Sequence, residues 1–138
     1  MKKIYLFITI LAILSLFLVS CNSTKYDAFA QCLTDKGVVM YGAYWCQHCA
    51  EQKRIFGSSF DKITYVECSL PNNAGQTQIC MQKNITGYPT WEFADGTRFE
   101  GAQTFSTLSW KSGCLLPDGT MGTDERPPAQ PTGILPLQ

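Results

Sequence analysis

The chain has 138 residues with 11 basic and 11 acidic side chains, so its formal net charge at pH 7 is zero. The charges form no basic stripe, and we therefore expect no binding to nucleic acid. The length fits one domain. Roughly 90 residues lie between its two atypical ends, which is few for a core without covalent staples.

The first 20 residues have the pattern of an export signal. Two lysines precede an apolar run from Ile4 to Val19, which is shorter than the roughly 20 residues that span a membrane. The run ends in Leu18-Val19-Ser20-Cys21, which resembles the lipobox of bacterial lipoproteins. We expect residues 1–20 to be a lipoprotein-type signal peptide and residues 21–24 a linker lipidated at Cys21. An uncleaved anchor helix is the alternative, and either anchor places the domain outside the cytoplasm at a membrane.

The middle of the chain alternates between helical and strand patterns. Apolar periodicity and turn residues predict the order αβαβαββα, which is typical of a single α/β domain. The predicted elements are a helix over 26–33, a strand over 38–41, a helix over 46–56, a strand over 63–67, a helix over 76–83, a hairpin of strands over 89–93 and 97–100, and a last helix from Thr104 or Ser106 to about Gly113.

The C-terminal segment has a different composition. Residues 117–138 contain five prolines, three glycines and few large side chains, so they bury too little apolar area to offset their ordering entropy. The composition predicts a disordered tail over 117–138. A proline-rich peptide that binds a partner is the alternative.

A C-x-x-C pair carries the chemistry. Cys46 and Cys49 follow the first predicted strand, so Cys46 falls at a helix N-terminus, where N–H groups and the helix dipole stabilise its thiolate. Cys49 lies about one turn further and can close a disulfide. A protonated His48, the only histidine of the chain, would stabilise the thiolate further and make the disulfide a better oxidant. The motif predicts catalytic thiol–disulfide exchange.

Two other functions of a C-x-x-C are a structural disulfide and half of a zinc site. A zinc site needs two more closely spaced Cys or His ligands. The other cysteines are isolated and no second histidine exists, so we expect no metal and no other cofactor. An inert disulfide remains open.

The cysteine count agrees with export. Assigning Cys21 to lipid leaves six of the seven cysteines, enough for three disulfides in an oxidising compartment. The four outside the C-x-x-C are Cys32, Cys68, Cys80 and Cys114, and the count alone does not pair them.

The C-x-x-C and the segment Thr86-Gly87-Tyr88-Pro89-Thr90 give the chain a resemblance to thioredoxin-fold proteins. In that fold a proline preceded by a cis peptide bond faces the C-x-x-C. The resemblance implies one thioredoxin-like domain over 25–116, with a central mixed sheet, flanking helices and a C-terminal β-hairpin and helix. It also implies that Tyr88 and Pro89 bind an extended substrate strand and that Trp45 forms an apolar rim. A trans turn proline and a packing role for Trp45 are the alternatives.

A narrower resemblance covers about residues 28–113. The segments YGAYWCQHC at 41–49 and ITGYPTW at 85–91, with Cys68 and Cys80 between them, resemble the thioredoxin-like domain fused to bacterial vitamin K epoxide reductase homologues. In that family the domain passes oxidising equivalents from a quinone-linked membrane partner to secreted proteins. The resemblance implies a second disulfide between Cys68 and Cys80. It also implies exported cysteine-containing proteins and a quinone-linked membrane thiol oxidase as partners.

With that disulfide assigned, elimination pairs Cys32 with Cys114. The first and last helices of thioredoxin folds usually cover opposite faces of the sheet, whereas a disulfide needs Cα atoms within about 7 Å. We therefore expect the chain after Gly113 to wrap round the sheet edge towards Cys32. Two free or intermolecular thiols are the alternative.

The chain departs from these families in two ways. It carries no membrane reductase domain, so we expect a separate membrane partner. Cytoplasmic thioredoxins place a buried acid six residues before the first cysteine, where this chain has Met40. Because a reducing role needs that base more, Met40 favours an oxidant. Glu67 is a substitute base or else an exposed strand-end carboxylate. The alternative functions are a reductant of exported thiols, as in cytochrome maturation, and a lipoprotein binding module with a structural C-x-x-C.

Overall fold

The computed structural model of the chain describes residues 25–126. The predicted signal peptide and Cys21 lie outside this range. The helices of the described part are α1 (Asp27–Asp35), α2 (Gln47–Phe56), α3 (Gln78–Gln82) and α4 (Phe105–Ser112), and its strands are β1 (Val39–Gly42), β2 (Thr64–Glu67), β3 (Thr90–Glu92) and β4 (Arg98–Glu100). Two short 3₁₀ helices cover Gly57–Lys62 and Pro71–Asn73. The predicted order of helices and strands is confirmed.

The four strands form one mixed sheet in the order β2-β1-β3-β4. The central strand β1 runs parallel to β2, with Met40 opposite Tyr65, and antiparallel to β3, with Met40 opposite Trp91. Strands β3 and β4 form the predicted antiparallel hairpin. This mixed α/β architecture is that of a single thioredoxin-like domain. It places the start of α2 at the carboxyl end of β1.

The larger core lies on one face of the sheet. Phe29 of α1 packs against Phe56 of α2 and Phe105 of α4, with ring centroids 6.2 and 5.6 Å apart. The fully buried Met40 and Trp91 form the sheet side of this core. Helices α1 and α4 therefore pack on the same face. The expectation that they cover opposite faces is wrong for this chain, because Phe29 of α1 and Phe105 of α4 both contact Phe56 of α2.

A smaller core covers the opposite face. Tyr41 of β1 packs there with Ile85 and with the disulfide between Cys68 and Cys80, whose Cys80 belongs to α3. This core is small, so the disulfide supplies part of the staple that a domain of this size needs.

A second disulfide joins Cys32 of α1 to Cys114 beyond α4, with Cα atoms 5.9 Å apart. Gly113 ends α4 in the left-handed conformation, which turns the chain back towards α1. Lys36 Nζ donates hydrogen bonds to the carbonyls of Ser112 and Gly113 at 2.9 and 3.1 Å. The pairing needs no path round the sheet edge, because α1 and α4 are neighbours.

The first part of the segment predicted to be a disordered tail contacts the domain. The Gly122 N–H donates to Ser109 Oγ at 2.9 Å, and the Thr123 N–H donates to Ser106 Oγ at 2.8 Å. The Arg126 guanidinium lies 3.5 Å from the centre of the Phe99 ring. The boundary at residue 116 is therefore too early. Composition missed these contacts because backbone groups and short hydroxyls make them rather than large apolar side chains. Residues 127–138 lie outside the described range.

Within residues 25–126, no helix combines the length and the apolar character that crossing a membrane requires.

Candidate active site at the Cys46–Cys49 dithiol

The two C-x-x-C sulfurs lie where β1 gives way to α2. Cys46 is the N-cap residue of α2, and its Sγ accepts a hydrogen bond from the Cys49 N–H at 3.1 Å. Such a bond favours a sulfur that carries negative charge, as does the positive end of the helix dipole. Local sequence alone produces this arrangement, because a buried strand is followed at once by a helix that starts at the motif.

The two thiols differ in access, and the pKa of the more deeply buried one is raised. Cys46 is 7% exposed and Cys49 is 1% exposed, so a substrate sulfur reaches only Cys46. Burial, and then a hydrogen bond with Cys46, raise the pKa of the Cys49 thiol to about 12. This geometry suits Cys46 to nucleophilic attack and Cys49 to the resolving step.

The loop before β3 faces Cys46. The Tyr88–Pro89 peptide bond is cis, and the Cys46 thiol donates a hydrogen bond of 3.5 Å to the Tyr88 carbonyl. The loop is held in place by the Thr90 hydroxyl, which donates to the Gly87 carbonyl at 2.8 Å. The backbone at Tyr88 therefore lies directly beside the reactive sulfur, where an extended substrate would pass.

An aromatic surface adjoins the sulfur. Trp45 is about half exposed, and its ring meets that of Tyr88 edge to face with centroids 5.8 Å apart. The Trp45 Nε1–H donates to Ser69 Oγ at 2.8 Å, which fixes the indole. A groove opens beside these rings, lined by Trp45, Cys68, Ser69, Asn73, Gly75, Gln76 and Tyr88.

The loop between Cys68 and Cys80 forms the far wall of that groove, a role that sequence reasoning missed. Tyr44 Oη donates to Asn73 Oδ1 at 2.8 Å and accepts from the Asn73 N–H at 3.1 Å. Tyr44 and Trp45 are thus both fastened to a loop that a disulfide closes. The only sequence signal was an aromatic pair directly before the first cysteine.

Three other predicted site groups have distinct positions. His48 lies on the exposed side of the first turn of α2. Met40 is fully buried beneath the site. Glu67 is not an exposed strand-end carboxylate, because it accepts hydrogen bonds from Tyr65 Oη at 2.7 Å, the Ser69 N–H at 2.9 Å and the Tyr44 N–H at 3.1 Å. In the described range, no group of three or more His, Cys, Asp or Glu residues is placed to hold a metal ion.

Comparison with known proteins supports the chemistry of this site. No protein-family model matches the chain. The thiol-disulfide oxidoreductase LTO1 of Arabidopsis thaliana is 42% identical over 82 residues, which is 56% of this chain and 22% of that protein. The chain thus spans about a fifth of the length of this curated relative. The similarity supports a thiol–disulfide exchange site and does not extend to the rest of the relative.

Proposed function

We propose that the protein is a membrane-anchored thiol–disulfide oxidoreductase that oxidises exported proteins through Cys46 and Cys49. One observation carries the proposal. Cys46 Sγ caps α2 by accepting a hydrogen bond of 3.1 Å from the Cys49 N–H, and it lies 3.5 Å from the Tyr88 carbonyl oxygen. A sulfur so placed is activated and lies beside a backbone edge that binds peptide. Similarity to a named thiol-disulfide oxidoreductase supports the same chemistry.

The oxidising cycle consists of two exchanges. A substrate thiolate attacks Cys46 Sγ of the Cys46–Cys49 disulfide, the bond to Cys49 breaks, and Cys49 leaves as a thiolate that takes up a proton. A second substrate thiolate then attacks the substrate sulfur of the mixed disulfide and expels the Cys46 thiolate. The substrate loses two electrons and the protein gains them. The Cys49 N–H stabilises the Cys46 thiolate that departs.

The groove beside the sulfur favours a particular substrate surface. Its lining carries no charged side chain, and Trp45 and Tyr88 supply aromatic walls. A substrate strand paired with the backbone at Tyr88 would place a side chain near its cysteine in this groove. We propose that apolar and aromatic residues are preferred there, because burying a charge without a partner is costly.

The direction and the location rest on the sequence and on the disulfides. Disulfides such as Cys32–Cys114 and Cys68–Cys80 persist in oxidising compartments, in agreement with the export signal and with lipidation at Cys21. Resemblance to the domain fused to vitamin K epoxide reductase homologues suggests reoxidation by a quinone-linked membrane thiol oxidase.

A mixed-disulfide trap tests the exchange activity. Cys49→Ser removes the resolving thiol, so Cys46 should accumulate a covalent adduct when the variant is mixed with a peptide disulfide. The matched control Cys46→Ser keeps the buried Cys49 and should form none. Equal adducts in both variants, or none in either, would refute the assignment.

Two further measurements test direction and location. The oxidised protein should introduce disulfides into a reduced, unfolded secreted protein while Cys46 and Cys49 become thiols in equal number. Faster reduction of a disulfide substrate by the dithiol form would instead indicate a reductant. Cys21→Ser should release the protein from the membrane fraction, and continued membrane binding would argue against a lipid anchor at Cys21.

A further inference from the structure

The side chain of Tyr65 reaches the resolving cysteine across Gly42. A Cβ atom at Gly42 would lie 3.1 Å from Cys49 Sγ, 3.1 Å from Tyr65 Oη and 2.8 Å from Tyr65 Cε2. The sulfur and the hydroxyl oxygen therefore lie no more than twice 3.1 Å apart, a span that one bridging water covers. The absent side chain of Gly42 leaves the space in which they meet.

A hydrogen bond from the same hydroxyl leads towards the protein surface. Tyr65 Oη donates a hydrogen bond of 2.7 Å to Glu67 Oε2, and Glu67 is only partly buried. The sulfur of Cys49, the Tyr65 hydroxyl and the Glu67 carboxylate thus form a line from the buried end of the site to its surface. Strand register produces it, because Tyr65 lies opposite Met40 and Glu67 opposite Gly42 in the parallel pair.

Exchange chemistry requires a proton path at this place. Burial raises the pKa of the Cys49 thiol to about 12, so the thiol needs a base before it attacks a mixed disulfide and an acid when it leaves as a thiolate. The neighbouring position on β1 that faces Tyr65 is Met40, which can neither accept nor donate a proton.

We propose that Tyr65 and Glu67 form a proton relay for Cys49. This inference rests on the proposed exchange function. As Cys49 attacks, its proton passes through a bridging water to Tyr65 Oη, the Tyr65 proton passes to Glu67 Oε2, and the products are a Cys49 thiolate, a neutral tyrosine and a neutral glutamic acid. When Cys49 leaves as a thiolate, the same protons move in reverse. The relay therefore serves an oxidant and a reductant equally.

The other charged groups around the relay are few. Lys53 of α2 lies over the Tyr65 ring at 3.7 Å from its centroid, and its charge favours the Cys49 thiolate. Cys46 at the start of α2 and Glu67 on β2 itself favour a protonated Tyr65 hydroxyl, as does Cys49. Tyr65 therefore passes a proton on without remaining a tyrosinate.

Glu67 also has a structural role that the variants must preserve. Its Oε1 accepts the N–H groups of Tyr44 and Ser69, which fastens the loop before α2 to the end of β2. Glu67→Gln keeps an oxygen for these amides and removes the capacity to take the proton. Tyr65→Phe keeps the ring and removes only the hydroxyl.

The test follows the resolving step in the full chain. The reduced protein is mixed rapidly with 5,5′-dithiobis(2-nitrobenzoate), and the second release of nitrothiobenzoate reports the attack of Cys49 on the Cys46 adduct. This reagent carries its own disulfide, so the result does not depend on an exported substrate. The proposed function is decided separately by the Cys49→Ser trap.

We expect the wild-type second phase to change little between about pH 6 and about pH 8, because Glu67 takes the proton. In Tyr65→Phe and Glu67→Gln it should be about 10²-fold slower at neutral pH and rise about tenfold per pH unit, because hydroxide must then take the proton. The control Tyr41→Phe also removes a hydroxyl bonded to a carboxylate, that of Glu92, but on the opposite face of the sheet. It should keep the wild-type profile. A wild-type profile in either relay variant overturns the proposal, because the relay needs both groups.

Discussion

Two pairs of cysteines lie beyond the two ends of β1. Cys46 and Cys49 mark the carboxyl end, which we call the reactive end, and Cys32 and Cys114 mark the amino end, which we call the inert end. The two pairs differ in almost every other respect. At the carboxyl end, Cys46 caps a helix and its sulfur accepts an N–H from Cys49. Before the amino end, Cys32 and Cys114 are bonded to each other, and Cys114 has no exposed surface. Under the proposed function, helix position, amide hydrogen bonding and access to solvent would decide which sulfur reacts. A cysteine alone would not.

The Cys68–Cys80 disulfide shares features of both ends. Both of its residues are fully buried, as Cys114 is at the inert end. The loop that it closes nevertheless holds Trp45 through Ser69 and Tyr44 through Asn73. Under the proposed function, this structural disulfide would shape the substrate surface of the reactive end without taking part in the exchange.

The largest expected contrast between the two ends is in activity. Cys46→Ser should reduce disulfide exchange to the uncatalysed level, because no other sulfur among residues 25–126 has both activation and access. The double variant Cys32→Ser/Cys114→Ser should keep the wild-type rate per folded molecule. An assay of exchange with a fluorescent peptide disulfide measures both. A similar loss in both variants would show that the distinction between the ends is wrong.

Within the reactive end, the two thiols should differ strongly in alkylation. The pKa of Cys49 is raised to about 12, so at pH 8 its thiolate fraction is about 10³-fold below that of a free thiol with a pKa of about 8.5. Iodoacetamide at pH 8 should therefore modify Cys46 first. The Cys49 rate should increase about tenfold per pH unit up to about pH 12. Mass spectrometry of the alkylated peptides gives both rates, and equal rates would contradict the assignment of roles.

The inert end should contribute mainly to stability. Removing the Cys32–Cys114 disulfide, which spans 82 residues of sequence, should lower the free energy of unfolding by about 4 kcal/mol, because it opens a long loop in the unfolded chain. Urea denaturation of Cys32→Ser/Cys114→Ser against wild type measures the change. A decrease in the free energy of unfolding of less than about 1 kcal/mol would show that the Cys32–Cys114 disulfide does not stabilise the domain as proposed.

The smallest effect concerns His48. Replacing it by alanine should lower the reduction potential of the Cys46–Cys49 pair by about 15 to 30 mV, since 30 mV corresponds to about 1.4 kcal/mol. The effect is small because His48 is exposed and solvent screens its charge. Gln47→Ala is the control at an exposed neutral position of the same turn. An unchanged potential in His48→Ala would show that the helix dipole alone stabilises the thiolate.

The sequence predicted the elements and the motif well, because both depend on local patterns. Apolar periodicity located each strand and helix to within a few residues, and the C-x-x-C with its preceding strand correctly placed Cys46 at a helix N-terminus. Helical periodicity did not reveal the 3₁₀ helix Gly57–Lys62, which begins at a glycine with φ of 57° and is too short to show a period.

The features that the sequence did not predict depend on register and on packing across the fold. The approach of Tyr65 towards Cys49 needs the parallel pairing of Met40 with Tyr65 and the absence of a side chain at Gly42. The shared face of α1 and α4 follows from the aromatic contact of Phe29 with Phe105, residues that are far apart in sequence. Neither relation has a local signal.

A redox titration that resolves each cysteine tests the central claim most directly. The protein is equilibrated in glutathione buffers, free thiols are blocked, and mass spectrometry counts blocked residues at Cys46, Cys49, Cys68, Cys80, Cys32 and Cys114. We predict that only Cys46 and Cys49 change together, with a midpoint at or above about −180 mV. The other two pairs should stay bonded throughout this range, because the midpoints of structural disulfides lie below about −300 mV. Joint reduction of Cys68 and Cys80 in the same range, or a Cys46–Cys49 pair that never opens, would contradict the account.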